Sequence, residues 1–81
     1  MLPSTILRFP DVKAATGYPR SSIYWRIHKG LFPPPVRLGE STVGWPASEI
    51  EAINKARMAG KTDDEVRALV ERLLLSRKLA A

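Results

Sequence analysis

The chain contains no cysteine and a single histidine, and it has no long apolar run. Lacking cysteine, it can form no disulfide, offer no thiolate to a metal and carry no thiol redox chemistry. His28 has no second imidazole with which to build a metal site, and no metal-ligand spacing surrounds it. Leu73-Leu74-Leu75 is the longest apolar stretch that could enter a bilayer, against the roughly 20 residues a spanning helix requires. The opening Met1-Leu2-Pro3-Ser4 has neither a basic segment nor a long apolar one, so no signal peptide is expected and the cytoplasm is the expected compartment. Acidic residues are scarce in the first half. Through Trp45 only Asp11 and Glu40 oppose Arg8, Lys13, Arg20, Arg26, Lys29 and Arg37. No nucleophile, base and orienting group fall into register, and no glycine-rich phosphate loop is present. The sequence therefore points away from enzymes and from cofactors.

What is present is a short chain with enough apolar content for one modest core. Its 81 residues are 44% hydrophobic and 26% charged, which excludes disorder throughout. The net charge of +5 sits almost wholly in the first half, because seven basic residues from Pro46 onward face six acids. A cationic half suits a polyanionic partner, whereas a balanced half suits a scaffold or a protein-binding surface.

Seven prolines break the chain into short elements. Ile6-Leu7-Arg8-Phe9 reads as a strand or extended lead-in. Pro10 and Asp11 suit the first turn of a helix over residues 10–16, with Val12 and Ala15 inward and Gly17 as its stop. Pro19 opens a second helix over residues 19–29, whose Ile23 and Ile27 share a buried face. At 100° per residue, Ser21, Ser22, Trp25, His28 and Lys29 fall opposite that pair, with Tyr24 and Arg26 on the flanks. Leu31-Phe32-Pro33-Pro34-Pro35 is a stiff extended connector. Val36-Arg37-Leu38 and Val43-Gly44-Trp45 flank Gly39-Glu40-Ser41-Thr42 and form a β-hairpin. Trp45 is expected under that hairpin. Pro46 starts a third helix with Ile50 and Ile53 inward and Gly60 at its end. Thr62-Asp63-Asp64-Glu65 is a capping box, and Val66, Leu69, Val70, Leu73 and Leu74 beyond it form one apolar stripe. Arg77 and Lys78 complement the dipole of that last helix.

The implied fold is mainly α with a small β-hairpin. A helix pair across a tight turn projects its second member outward, where it can enter a DNA major groove about 12 Å wide, and a hairpin beside it can lie on the backbone as a wing. Residues 1–60 are expected to form this winged helix-turn-helix domain. Residues 61–81 form an amphipathic helix that either completes the core or pairs with a second copy; Leu75 and Leu79 widen its apolar face and favour pairing.

The string Thr16-Gly17-Tyr18-Pro19-Arg20-Ser21-Ser22-Ile23-Tyr24, followed by Gly30-Leu31-Phe32-Pro33, Val36-Arg37-Leu38-Gly39 and Val43-Gly44-Trp45, resembles the AlpA-like regulators of phages and prophages. These are similar to the broader excisionase and MerR-type winged helix-turn-helix group. The resemblance implies a DNA-binding transcriptional regulator, with Arg20, Ser21, Ser22 and Trp25 as the groove-facing set. Arg20 could meet a guanine edge or a flanking phosphate. Arg26, Lys29 and Arg37 suit phosphates, and His28 with the hairpin residues Ser41 and Thr42 completes the expected contact set. Two departures stand out: Pro19 occupies a position where the family usually has a capping serine, and no basic residue stands near Ser41.

Each singled-out residue also has a plainer reading. Trp25 could be core if the helix is rotated, Tyr24 is better explained as structural, Arg8 and Lys13 as ordinary surface charges, and the acids at 63–65 as a helix start. Two other functions compete with the regulator. An excisionase-like factor would bend DNA and direct an integrase. A protein-interaction module, such as an antirepressor, would act through residues 62–79. Double-stranded DNA is the expected partner, with a homodimer, an integrase or RNA polymerase as further candidates, and no membrane.

Overall fold

The structure, a computed structural model, describes residues 5–80; residues 1–4, on which the reading of the N-terminus rests, and Ala81 lie outside the described residues. The elements run β1 (Ile6–Leu7), α1 (Phe9–Thr16), α2 (Arg20–His28), β2 (Val36–Arg37), β3 (Val43–Pro46), α3 (Ala47–Met58) and α4 (Asp63–Ala80). Their order matches the expected one, but the sheet is larger. β2 and β3 form the hairpin, pairing Val36 with Gly44 and Arg37 with Val43, while β1 pairs antiparallel with the other edge of β3 through Ile6–Pro46 and Leu7–Trp45. The lead-in is thus the third strand of a sheet ordered β1-β3-β2. Local patterning could not show this pairing, because its partners lie 38 and 40 residues apart in sequence.

α1 begins one residue earlier than proline placement suggested. Arg8 is the extended residue before the helix, Pro10 falls within its first turn, and the Arg8 amide donates to the Asp11 carboxylate at 3.4 Å. Phe9, expected in the strand, is the first helical residue and is buried. The inward face is therefore Phe9, Val12 and Thr16, and Ala15, expected inward, is exposed. Thr16 tolerates burial because its hydroxyl donates to the Val12 carbonyl at 2.8 Å and accepts the Tyr18 amide at 3.2 Å. Gly17 ends the helix at φ 76°, where its amide reaches the Lys13 carbonyl at 2.8 Å. A side chain at that φ would strain the backbone.

Trp45 is the centre of the core. It is fully buried, with Phe9 and Phe32 edge-on at 5.5 and 6.2 Å between centroids. Its indole N–H donates to the Pro33 carbonyl at 2.8 Å, so the stiff connector supplies the acceptor a buried tryptophan needs. Val12, Ile23, Ile50 and Ile53 close around this aromatic set.

α4 folds back onto that same core. Thr62 and Glu65 cap it reciprocally at 3.2 and 2.9 Å, as the sequence pattern implied. Val66 and Val70 are buried, and Leu69, Leu73 and Leu74 pack against the cluster. Arg77 does not merely complement a helix dipole. It forms a two-pronged ion pair with buried Glu49 of α3, its Nε 2.7 Å from one carboxylate oxygen, and donates to the Pro34 carbonyl at 2.8 Å. α4 thus packs on the core through one side, while Leu75 and Leu79 are exposed.

Candidate nucleic-acid interface

α1 and α2 are joined by Gly17, Tyr18 and Pro19, and side chains from α3 hold this turn. Asn54 donates to the Ala15 carbonyl at 3.0 Å and Arg57 to the Thr16 carbonyl at 2.9 Å. The guanidinium carbons of Arg57 and Arg26 each lie 4.1 Å from the Tyr18 ring centroid. Tyr18 is thus shared between a guanidinium of α3 and one of α2, which fixes how α2 leaves the turn. Farther along, Arg67 of α4 donates to the Lys29 carbonyl at 3.0 Å and secures the other end of α2.

α2 buries Ile23 and half-buries Ile27, leaving its opposite side open. Ser21, Trp25, His28 and Lys29 are exposed and Ser22 is half-buried. Trp25 is 53% exposed, which excludes the core position its ring could otherwise have taken. Lys29 Nζ lies 5.9 Å from its ring, so a cation borders the exposed indole. No side chain caps the start of α2 and no acid stands in its first turn. Pro19 therefore leaves the helix's positive end unneutralised, on the surface that carries the two serines.

The remaining expected contact residues separate into two groups. Arg20 is exposed, its guanidinium 4.3 Å from the Phe9 ring centroid, and it shares a groove with Arg8, Tyr24 and Ser41. Tyr24 is tilted against Phe9 at 5.6 Å and is still 46% exposed. Arg26 is half-buried against Tyr18 and its Nε is buried without an acceptor. Arg37 is exposed, but donates to the Gly39 and Glu40 carbonyls at 3.3 and 3.1 Å and so braces the β2–β3 loop. At that loop's far side Thr42 is half-buried, its carbonyl taking the Leu38 and Gly39 amides, while Ser41 is exposed. Sequence reasoning took Arg8 for an ordinary surface charge and passed over Asn54, Arg57 and Arg67. Arg8 had a local signal, since it precedes a helix start; the other three act across the fold and had none.

No described helix is long and apolar enough to cross a membrane. A helix pair across a tight turn, its second helix bare on one side and a strand loop beside it, defines a winged helix-turn-helix protein. Residues 5–57 match the family described as "Prophage CP4-57 regulatory protein (AlpA)". The chain belongs to this family of phage-type regulatory proteins. It is also 47% identical over 55 residues to "Uncharacterized protein ORF88" of Enterobacteria phage P4, a match covering 68% of the chain and 62% of that phage protein. The match thus reaches less than two thirds of the relative's length. No solved structure matches the chain.

Proposed function

We propose that the protein is a sequence-specific DNA-binding regulator of phage or mobile-element transcription, with α2 in the major groove and the β2–β3 loop on the backbone. The observation that carries this reading is the open side of α2, where Ser21, Trp25, His28 and Lys29 are exposed along a helix whose start no side chain caps. Ser21 and Ser22 reach base edges or phosphate, and Trp25 packs on a thymine methyl or a sugar. Lys29, Arg26 and Arg37 neutralise phosphates, with His28, Ser41 and Thr42 beside them. About three to five neutralised phosphates give a log-log salt slope of roughly −3 to −5. This activity places the protein with its DNA in the cytoplasm.

Selection from random duplexes tests the reading. A recovered consensus that relaxes on Trp25→Ala, at a cost of about 1–3 kcal/mol in binding, is the expected result. Binding without any sequence preference, or a salt slope flatter than about −1, would refute it.

Leu75 and Leu79, exposed on α4 four residues apart, favour a homodimer that places two α2 helices on adjacent half-sites. Sedimentation showing a strict monomer at high micromolar concentration would exclude it.

A further inference from the structure

The groove between the start of α1, the start of α2 and the β2–β3 loop measures about 410 Å³ and is lined by Arg8, Phe9, Arg20, Tyr24 and Ser41 among others. Both arginines are exposed, and among the described residues neither guanidinium pairs with a carboxylate or donates a hydrogen bond. The acid next to them, Asp11, accepts the Arg8 amide rather than a guanidinium. Glu40 of the adjoining loop forms no ion pair either, and its carbonyl accepts Arg37. Two cations sharing one concave surface repel each other, so the arrangement gains from an anion that sits between them.

The stacking of Arg20 narrows the choice of anion and of role. Its guanidinium carbon lies 4.3 Å from the Phe9 centroid, so the group rests over that ring. The N–H donors radiate from the edge of the guanidinium plane and stay available. This pose draws Arg20 back toward α1 and the loop, off the open side of α2 where Trp25 and Ser21 project. A fork held beside a second arginine and the Ser41 hydroxyl matches the tetrahedral oxygens of a phosphodiester better than the flat edge of a guanine.

We infer that Arg8 and Arg20 together grip one phosphate of the DNA backbone as it passes between α2 and the wing, with Ser41 as a neutral donor, and that Arg20 reads no base. This inference rests on the DNA-binding reading above and deepens it. Arg8, at the junction of β1 and α1, thereby joins an interface otherwise made by α2 and the loop.

The test uses the duplex recovered by random selection, resynthesised with a neutral methylphosphonate at one backbone position at a time. At one position flanking the groove, neutralisation should weaken the wild-type protein on the order of tenfold, the scale of one charge-assisted hydrogen bond. The same substitution should leave an Arg8→Gln, Arg20→Gln double variant unchanged. That variant should bind every sequence more weakly by a common factor, keep the wild-type consensus, and lower the salt slope by about 0.9. Arg20→Lys should retain most of the slope, since the charge survives, and circular dichroism should show each variant folded.

An Arg20 variant that relaxes the consensus at a single base pair would overturn the inference and make Arg20 a base reader. Wild-type-like binding by the double variant would overturn it too, while leaving the DNA-binding reading intact. Failure of the wild-type protein to bind any duplex would instead remove both.

Discussion

Replacing Arg77 by alanine strands Glu49 inside the protein. The Glu49 side chain is 6% exposed and that of Arg77 22%, and the guanidinium meets both carboxylate oxygens while also serving the Pro34 carbonyl. Removing one partner of a buried pair costs about 3–5 kcal/mol, because the remaining charge keeps its desolvation penalty without its counter-charge. A chain of this size has a total stability of roughly 4–12 kcal/mol at 0.05–0.15 kcal/mol per residue. Arg77→Ala should therefore lower the urea midpoint sharply and Tm by at least about 12 °C. Glu49→Met combined with Arg77→Met should recover most of this loss, since apolar side chains of similar volume carry no such penalty. A double-mutant cycle by urea denaturation, followed by circular dichroism, should give a coupling energy of at least about 1 kcal/mol. Raising salt should hardly change it, because a buried pair is weakly screened. A loss under about 1 kcal/mol for Arg77→Ala, the range of exposed ion pairs, would refute the reasoning and mean that the end of α4 is not docked.

Three further outcomes follow from geometry elsewhere. At Gly44 an added Cβ would meet Ile6 Cγ2 at 2.6 Å and the Leu7 carbonyl at 2.9 Å; because one neighbour is backbone, Gly44→Ala should cost about 1–3 kcal/mol by overpacking, read by thermal unfolding. Tyr18→Ala removes the ring on which Arg26 and Arg57 both rest and should cost about 1–2 kcal/mol, whereas Tyr18→Phe keeps the ring and should stay within about 0.5 kcal/mol; equal losses for the two would contradict a stacking role. The Thr62 amide and hydroxyl hold the Glu65 carboxyl below the ordinary glutamate range. Its folded pKa lies under its unfolded one, so the stabilisation is complete above the unfolded value and fades as pH falls through the lowered one. An NMR titration should place the Glu65 midpoint below that of an unstructured glutamate, and Thr62→Ala should raise it.

How much of this was legible in the sequence depended on how local each feature is. The capping box at Thr62 and Glu65, the stop at Gly17, the burial of Ile23 and Trp45 and the hairpin all rest on residues close in sequence, and the structure places each as expected. Features joining distant segments were not legible. β1 pairs with β3 across 38 and 40 positions, and Glu49 meets Arg77 across 28; neither leaves a periodic trace. Ala15 and Thr16 show the limit within one helix, since an alanine is exposed and a threonine buried because its hydroxyl finds an acceptor in α1 and a donor in the turn that follows. On the candidate interface, helical periodicity found the open side of α2. It could not show that Arg20 would lean on Phe9, or that Arg37 would turn back onto its own loop, because a long side chain's direction depends on what packs beside it.

Beyond the shared core, four side chains of the second half hydrogen-bond to backbone carbonyls of the first. Asn54 takes that of Ala15, Arg57 that of Thr16, Arg67 that of Lys29 and Arg77 that of Pro34. A carbonyl oxygen is the same atom whatever side chain its residue carries. Substitutions at Ser21, Ser22 or Trp25 therefore leave these four attachments untouched, so that on the proposed reading target preference could change while the frame that aims α2 stays fixed. If α2 reads DNA as proposed, its reading surface could be exchanged residue by residue without rebuilding the support beneath it.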